Sequence, residues 1–193
     1  NYIYKNHVDK EFFLKKRFEI IAKGTFWLST TPYKPSIGWD AALNRVCTWV
    51  QLKDLNSGHL FYVYNTHFDH IGQNARYESS KLILKRIREE TGDFPVLLIG
   101  DFNYTSSSDG YKFLTDTSDE KMLYDAQFIS AEKHTGGNVT FNGYGELTEP
   151  VGKIDFIFVS ENISVVRHLV LKDKYKNKFP SDHFPVLSKI SFK

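Results

Sequence analysis

Two runs of alternating side chains joined by a short polar turn constrain this chain more than any other feature. Val46, Thr48, Val50 and Leu52 alternate with Cys47, Trp49 and Gln51. The turn Asp54-Leu55-Asn56-Ser57-Gly58 then hands over to Leu60-Phe61-Tyr62-Val63-Tyr64-Asn65-Thr66-His67. Side chains of an extended chain repeat every two residues, so the pair reads as an antiparallel hairpin. On its return strand, Asn65 and His67 share one face.

The rest of the chain falls into place around that hairpin. Residues 11–21 and 25–29 read as strands broken at Gly24, followed by a loop punctuated by Pro32 and Pro35 and running to Trp39. Across residues 75–90, Ala75, Ser79, Leu82, Ile83 and Ile87 form one stripe while Lys81, Lys85, Arg88 and Glu89 fall elsewhere, which predicts an amphipathic helix. Residues 94–99 are a short apolar run that fits a buried strand ending at Gly100. A short helix is expected near residues 111–114. Residues 153–160, 164–171 and 185–192 read as three further strands, with the polar loop 172–178 between the last two. Strands, one long helix and more strands make an α/β or α+β sheet protein, and periodicity does not choose between the two.

Composition narrows the class. At 193 residues, the chain is long enough for one sizeable core, and residues 1–193 are read as a single domain. Hydrophobic residues at 41% and charged residues at 25% are those of a globular chain rather than a disordered one. Its 16 Phe and 11 Tyr lean toward strand packing. A net charge of +2 is too mild to identify a polyanion partner. The single Cys47 excludes an internal disulfide framework, and there is no Cys/His spacing for a structural zinc. No apolar run reaches transmembrane length, and nothing in the sequence sets a compartment.

Four segments carry residues suited to chemistry. In Gly100-Asp101-Phe102-Asn103, a glycine lets the backbone turn at the end of a buried strand. Asp101 and Asn103, two apart, can then point into one cleft. A carboxylate beside a neutral amide can orient a water or a metal ion and hold a phosphoryl oxygen, and it can equally form an Asx turn. In Ser181-Asp182-His183-Phe184-Pro185, a loop can send Asp182 to a metal and His183 to a reaction centre, or be a plain surface turn. Asp155 is the one acid in the apolar run Lys153-Ile154-Asp155-Phe156-Ile157-Phe158-Val159, and a buried carboxylate needs a partner. That partner is an imidazole such as His183 or a structural Lys or Arg. In Asn65-Thr66-His67-Phe68-Asp69-His70, His67 near a strand end is placed to donate to a phosphate oxygen, while Asp69 and His70 suit capping of the next helix. No nucleophile elbow surrounds Cys47 or any Ser, which argues against a Ser or Cys hydrolase.

Taken in order, the four segments resemble the endonuclease/exonuclease/phosphatase superfamily from about residue 11 to the C-terminus. The strand Phe26-Trp27-Leu28-Ser29, the loop Gly38-Trp39-Asp40 and Arg45 are similar to a bacterial branch of it. The resemblance implies a deoxyribonuclease-like four-layer αββα sandwich with the active site at one end of two central sheets. It implies hydrolysis of a phosphate ester by in-line attack of water, with Mg²⁺ or Mn²⁺ as cofactor. Asp101 would orient or deprotonate the water, Asn103 would hold the phosphate and His67 would donate to it. Asp155 would pair with His183 at phosphorus, and Asp182 would join Asp101 and Asn103 in the metal shell. Asn65 and Arg45 would contact a phosphorylated substrate, whether nucleic acid, small molecule or lipid, and Trp39 or Tyr104 would stack on it; each of the last two can instead be a packing anchor. The lysine-rich loop 172–178 would touch a polyanion or lipid surface, or simply be solvated.

The resemblance has one departure. Superfamily members begin with a strand bearing an Asn and, after a helix, a strand bearing a metal-binding Glu in a Gln-Glu pair. These 193 residues contain neither segment, and Glu11 and Glu19 follow the point where they would stand. The expectation is therefore a domain incomplete at its N-terminus, whose missing piece comes from a longer precursor or a separate chain. The competing class is a metal-poor, non-catalytic module that binds a phosphorylated ligand or a partner.

Overall fold

The computed structural model describes residues 13–118, 122–147, 149 and 151–193. The predicted hairpin forms from β2 (Val46–Asp54) and β3 (Leu60–His67), paired antiparallel from Cys47 opposite Thr66 to Lys53 opposite Leu60. Asp54 seals its turn by accepting from Asn56 N at 2.9 Å and from the Arg17 guanidinium at 3.0 Å. Before it runs β1 (Phe18–Trp27), which is continuous through Gly24. The expected break there is corrected: Gly24 lies beneath the Trp49 indole, where a Cβ would come within 2.8 Å of Nε1. The register slips instead between Ile20 and Ala22. Of the predicted strand 11–21, residues 11–12 lie outside the described residues, 15–17 form a turn, and Glu19 is exposed.

After β3 come α1 (Gln73–Glu90), β4 (Val96–Asp101), α2 (Asp109–Leu114) and the two-residue β5 (Tyr124–Asp125), which the sequence reading missed. β6 (Asp155–Val159), β7 (Ile163–Val170) and β8 (Val186–Phe192) complete the chain. Six strands form one mixed sheet in the order β1-β2-β3-β4-β6-β5, and β7 and β8 form a separate two-stranded sheet. The single parallel pair in the large sheet is β3 with β4, joined through α1.

Strand parity sorts the side chains of the large sheet onto two covered faces. On one face Tyr62, Tyr64, Leu98, Phe156 and Phe158 pack with Ile83, Leu84 and Ile87 of α1 and with Tyr111 and Leu114 of α2. On the other, Phe61, Leu97, Ile157 and Val159 meet Val165, Ile190 and Phe192 of the small sheet. Each fully buried Phe or Leu in these layers contributes roughly 1.5–3 kcal/mol of transfer free energy. The result is an α/β architecture whose described residues make three layers: helices, large sheet, small sheet. The second helical layer that the resemblance implies is not among them. No described helix is long and apolar enough to cross a membrane.

The predicted helix stripe is found, but Ser80 and Leu84 are also fully buried, whereas Leu82 packs at the margin. Asp69 does not cap α1 alone. Its carboxylate accepts from Ile71 N and Gly72 N just before the helix and from Ala42 N and Leu43 N of a distant loop. The cap proper comes from Asp40, which accepts from Asn74 N at 3.2 Å and Ala75 N at 2.6 Å. Gly72 at the N-cap sits so close to Asp40 that a Cβ would lie 2.7 Å from its carbonyl oxygen.

Candidate active site

Register places three of the four sequence segments side by side. His67, the last residue of β3, stands opposite Asp101, the last of β4, and Asp101 stands opposite Asp155, the first of β6. These residues share the parity of Phe61, Leu97 and Ile157, so their side chains rise from the face that meets the small sheet, at its open end. There Asp101 and Asp155 line a cavity of about 350 Å³ together with Asn65, Ile99 and His183, and His67 stands beside Asp101. A larger cavity of about 730 Å³ elsewhere is lined by Ile129, Ile163 and Val165 and receives none of the four segments.

The backbone beneath the acids is held by a glycine and a left-handed asparagine. Gly100 has φ 142°, and a Cβ there would lie 1.9 Å from the carbonyl oxygen of Thr66 on the parallel neighbour. Only glycine tolerates that approach. Asn103 has φ 49°; its N–H donates to Asp101 Oδ1 at 2.9 Å and its Nδ2 donates to the Phe68 carbonyl at 2.9 Å. The Asx turn weighed as the plain reading of this motif is therefore present, and it serves to aim Asp101 into the cavity.

Charge is concentrated at Asp101. Its Oδ2 lies 3.3 Å from His67 Nε2 and 3.8 Å from His183 Nε2. His183 Nδ1 donates to Asp155 Oδ2 at 2.8 Å. Burial, followed by the neighbouring Asp155 charge, pushes the Asp101 carboxyl up to about 6. The hydrogen bond to Asp155 raises the His183 imidazole above its ordinary range, against the opposing effect of burial. Desolvation and like charge thus outweigh the Asn103 hydrogen bond and the His183 and Arg45 charges at Asp101, a situation in which a bound cation lowers the energy of the site.

Ligand atoms of Asp101, Asp155 and His183 lie within 4.8 Å of one another. Two carboxylates and an imidazole at that spacing fit a divalent cation with a preference for oxygen donors. Asp182, expected as a metal donor, is outside this cluster, and its carboxylate accepts from Ser181 Oγ at 3.3 Å.

The remaining predicted residues have varied places. Tyr104 is corrected: it is buried in the core against Phe68, Phe102 and Phe156 with its hydroxyl beside Ser80, so its ring is no platform for substrate. Arg45 is also buried, with Nε 3.6 Å from Asp69 Oδ2 and Nη2 3.4 Å from His70 Nδ1. From there its charge still favours ionised Asp101. Trp39 is half-buried in a left-handed conformation at φ 49°. In the lysine-rich loop, Lys176 and Asn177 form a tight turn closed by Tyr175 and Lys178, and every residue of 172–178 is exposed.

Sequence reasoning passed over residues 140–143. Thr140 Oγ1 accepts from Ile154 N and Asp155 N, and Asn142 N donates to the Asp182 carbonyl. Their signal in the sequence is slight, a Thr and an Asn two apart before a Gly. Lys153, written off as part of an apolar strand, forms a buried ion pair with Asp125 at 2.9 Å.

Comparison with known proteins agrees with this fold. A solved endonuclease/exonuclease/phosphatase structure from Bacteroides vulgatus superposes with TM-score 0.86 at 35% identity, covering 93% of this chain and 68% of that one. The mannosyl-6-phosphatase of Bacteroides thetaiotaomicron superposes with TM-score 0.84 at 37% identity, covering 92% and 68%. The Ccr4 exoribonuclease subunit of the Saccharomyces cerevisiae CCR4-Not complex is 24% identical over 231 residues, 94% of this chain and 27% of its own. The chain spans 62% and 27% of the length of the curated relatives it matches. The sequence pattern of the Endonuclease/Exonuclease/phosphatase family matches residues 14–183, and the chain belongs to that family.

Proposed function

We propose that this protein hydrolyses a phosphate ester with the help of a divalent cation, Mg²⁺ or Mn²⁺, held by Asp101 and Asp155. When bound, the cation neutralises charge on the phosphoryl group and the leaving oxygen. The observation that carries the reading is the convergence of Asp101, Asp155 and His183 within 4.8 Å, with His67 Nε2 3.3 Å from Asp101.

Each residue has a task in that reading. Asp101, aimed into the cavity by the Asn103 N–H, accepts the proton of the attacking water. As the water oxygen bonds to phosphorus, the bond to the leaving oxygen breaks on the opposite side. Asp155 keeps the Nδ1–H of His183 pointed at itself, so Nε2 faces the phosphoryl group, and the raised basicity of the ring favours the protonated form that donates to the leaving oxygen. His67 and the Asn103 amide offer further polar contacts to phosphoryl oxygens. Asn65 lines the cavity floor. Arg45 acts from behind Asp69, Asp182 adds negative charge beside His183, and half-buried Trp39 stands as a substrate contact.

The four-layer form of the sandwich, with a second helical layer over β7 and β8, belongs to the same proposal. The substrate class follows the relatives: one is a sugar phosphatase and another an exoribonuclease, so a phosphomonoester and a phosphodiester are both to be assayed. The test is hydrolysis of p-nitrophenyl phosphate and bis-p-nitrophenyl phosphate with Mg²⁺ or Mn²⁺, run beside Asp101→Ala. The expected result is turnover abolished by EDTA and reduced by about 10²–10⁴ in the variant. Turnover that ignores both would remove Asp101 and the cation from the mechanism. Binding of phosphate without turnover would favour the non-catalytic reading.

A further inference from the structure

Asp155 and His183 lie in different parts of the fold, yet meet at 2.8 Å. Asp155 opens β6 in the large sheet, and His183 sits in the coil before β8 of the small one. A hydrogen bond between two such segments survives only if their backbones are fixed relative to each other to within about 0.5 Å. Residues 140–143 are bonded to both.

Thr140 is completely buried. Its Oγ1 accepts from Ile154 N at 2.9 Å and from Asp155 N at 3.1 Å, which pins the first residue of β6. Its carbonyl accepts from Phe184 N at 2.6 Å, which pins the residue after His183. Two residues on, the N–H groups of Asn142 and Gly143 both donate to the Asp182 carbonyl, at 2.7 and 3.1 Å. Asn142 Nδ2 donates to the Ser181 carbonyl at 3.2 Å. Between them Phe141 pairs with His183 through the backbone and sets its ring edge-on to the imidazole, with centroids 5.0 Å apart.

We infer that residues 140–143 are a strap setting the spacing of the Asp155–His183 pair, and that the Thr140 hydroxyl is its positioning group. A hydroxyl has two lone pairs, and here both meet consecutive backbone N–H groups that have no solvent to turn to. Valine has nearly the same shape but no acceptor, so it would leave the buried Ile154 N–H and the half-buried Asp155 N–H without this partner and drive the start of β6 to shift. Serine keeps the acceptor and loses only a methyl. The effect on rate rests on the hydrolase reading above, whereas the effect on the Asp155–His183 bond does not.

Thr140→Val and Thr140→Ser, made in the whole chain, separate these. The Nδ1–H of an imidazole held by a carboxylate gives a low-field proton resonance, assigned by its loss in His183→Ala. The resonance is expected in wild type and Thr140→Ser and shifted or lost in Thr140→Val, with amide spectra away from the site unchanged. In turnover of bis-p-nitrophenyl phosphate with Mn²⁺, Thr140→Val should lose about 10- to 100-fold in kcat while KM stays within about twofold. Thr140→Ser should recover most of it. If the valine variant does not fold, Asn142→Ala, which loosens the other end of the strap, is expected to shift the same resonance. The inference is overturned by a wild type lacking the resonance, by a resonance that ignores these substitutions, or by serine and valine variants equally impaired. A wild type that shows the Thr140-dependent resonance but no turnover would sink the hydrolase reading and leave the strap standing.

Discussion

At the residue scale, the molecule holds a second titrating group whose behaviour can be separated from the candidate site. His168 on β7 is fully buried; its Nδ1 lies 2.9 Å from His134 Nδ1, and its Nε2 has no hydrogen-bond partner among the described residues. Burial, helped by the charges of Lys153 and His134, pushes its imidazole down from 6.5 to about 4. Between those values the unfolded chain binds a proton at this position and the folded chain does not. Folding is therefore penalised progressively as pH falls. The stabilising contribution is fully present above the unfolded value and is lost as pH drops toward the folded one, amounting to about 3 kcal/mol. Denaturant titrations at a series of pH values should show that loss, and His168→Gln should flatten the curve over the same window. A variant with the wild-type slope would assign the acid sensitivity to other groups.

At the element scale, the start of α1 depends on a residue far from it in sequence. Asp40 supplies the oxygens for Asn74 N and Ala75 N, so Asp40→Ala should cost about 0.5–2 kcal/mol and increase amide exchange in the first turn. Asp69 has a wider task. Burial alone would raise its carboxyl, but four backbone N–H groups hold it well below the usual carboxylate range, and Arg45 stands beside it. Asp69→Asn keeps the shape but cannot balance the Arg45 charge, and it is expected to cost about 3–5 kcal/mol in a melt of the purified chain. Loss of less than about 1 kcal/mol would mean that Arg45 finds its counter-charge elsewhere. The elements themselves were largely legible in the sequence. The alternation of 46–52 and 60–67, the stripe of α1 and the apolar run before Gly100 each report a local period. The sequence misled at Gly24, which read as a breaker and proves to be the space under Trp49, because glycine's role depends on what lies across the strand. Strand β5 was invisible because two residues carry no period at all.

Across the whole molecule, the two sheets and the helices are tied by polar groups as well as by packing. Lys153, before β6, places its ammonium on both Asp125 oxygens and on Gln127 Oε1, at 3.0, 2.9 and 2.8 Å, while Tyr111 Oη of α2 donates to the same carboxylate. Lys153→Met leaves a buried acid uncompensated and should destabilise by about 3–5 kcal/mol. The double variant Lys153→Met with Asp125→Leu should recover much of that in chemical denaturation, and a double variant no better than the single one would contradict the pairing. At the site, the sequence alone determined which residues are candidates for chemistry and in what order they occur, because residue type and two-residue spacing are local properties. It also determined that Asn65 and His67 share a face. Only the tertiary structure decided that His67, Asp101 and Asp155 stand in one row across three strands, that Asp155 takes His183 while Lys153 takes Asp125, and that Tyr104 belongs to the core. Pairing of strands and burial of a ring are settled by partners tens of residues away, and no local period records them.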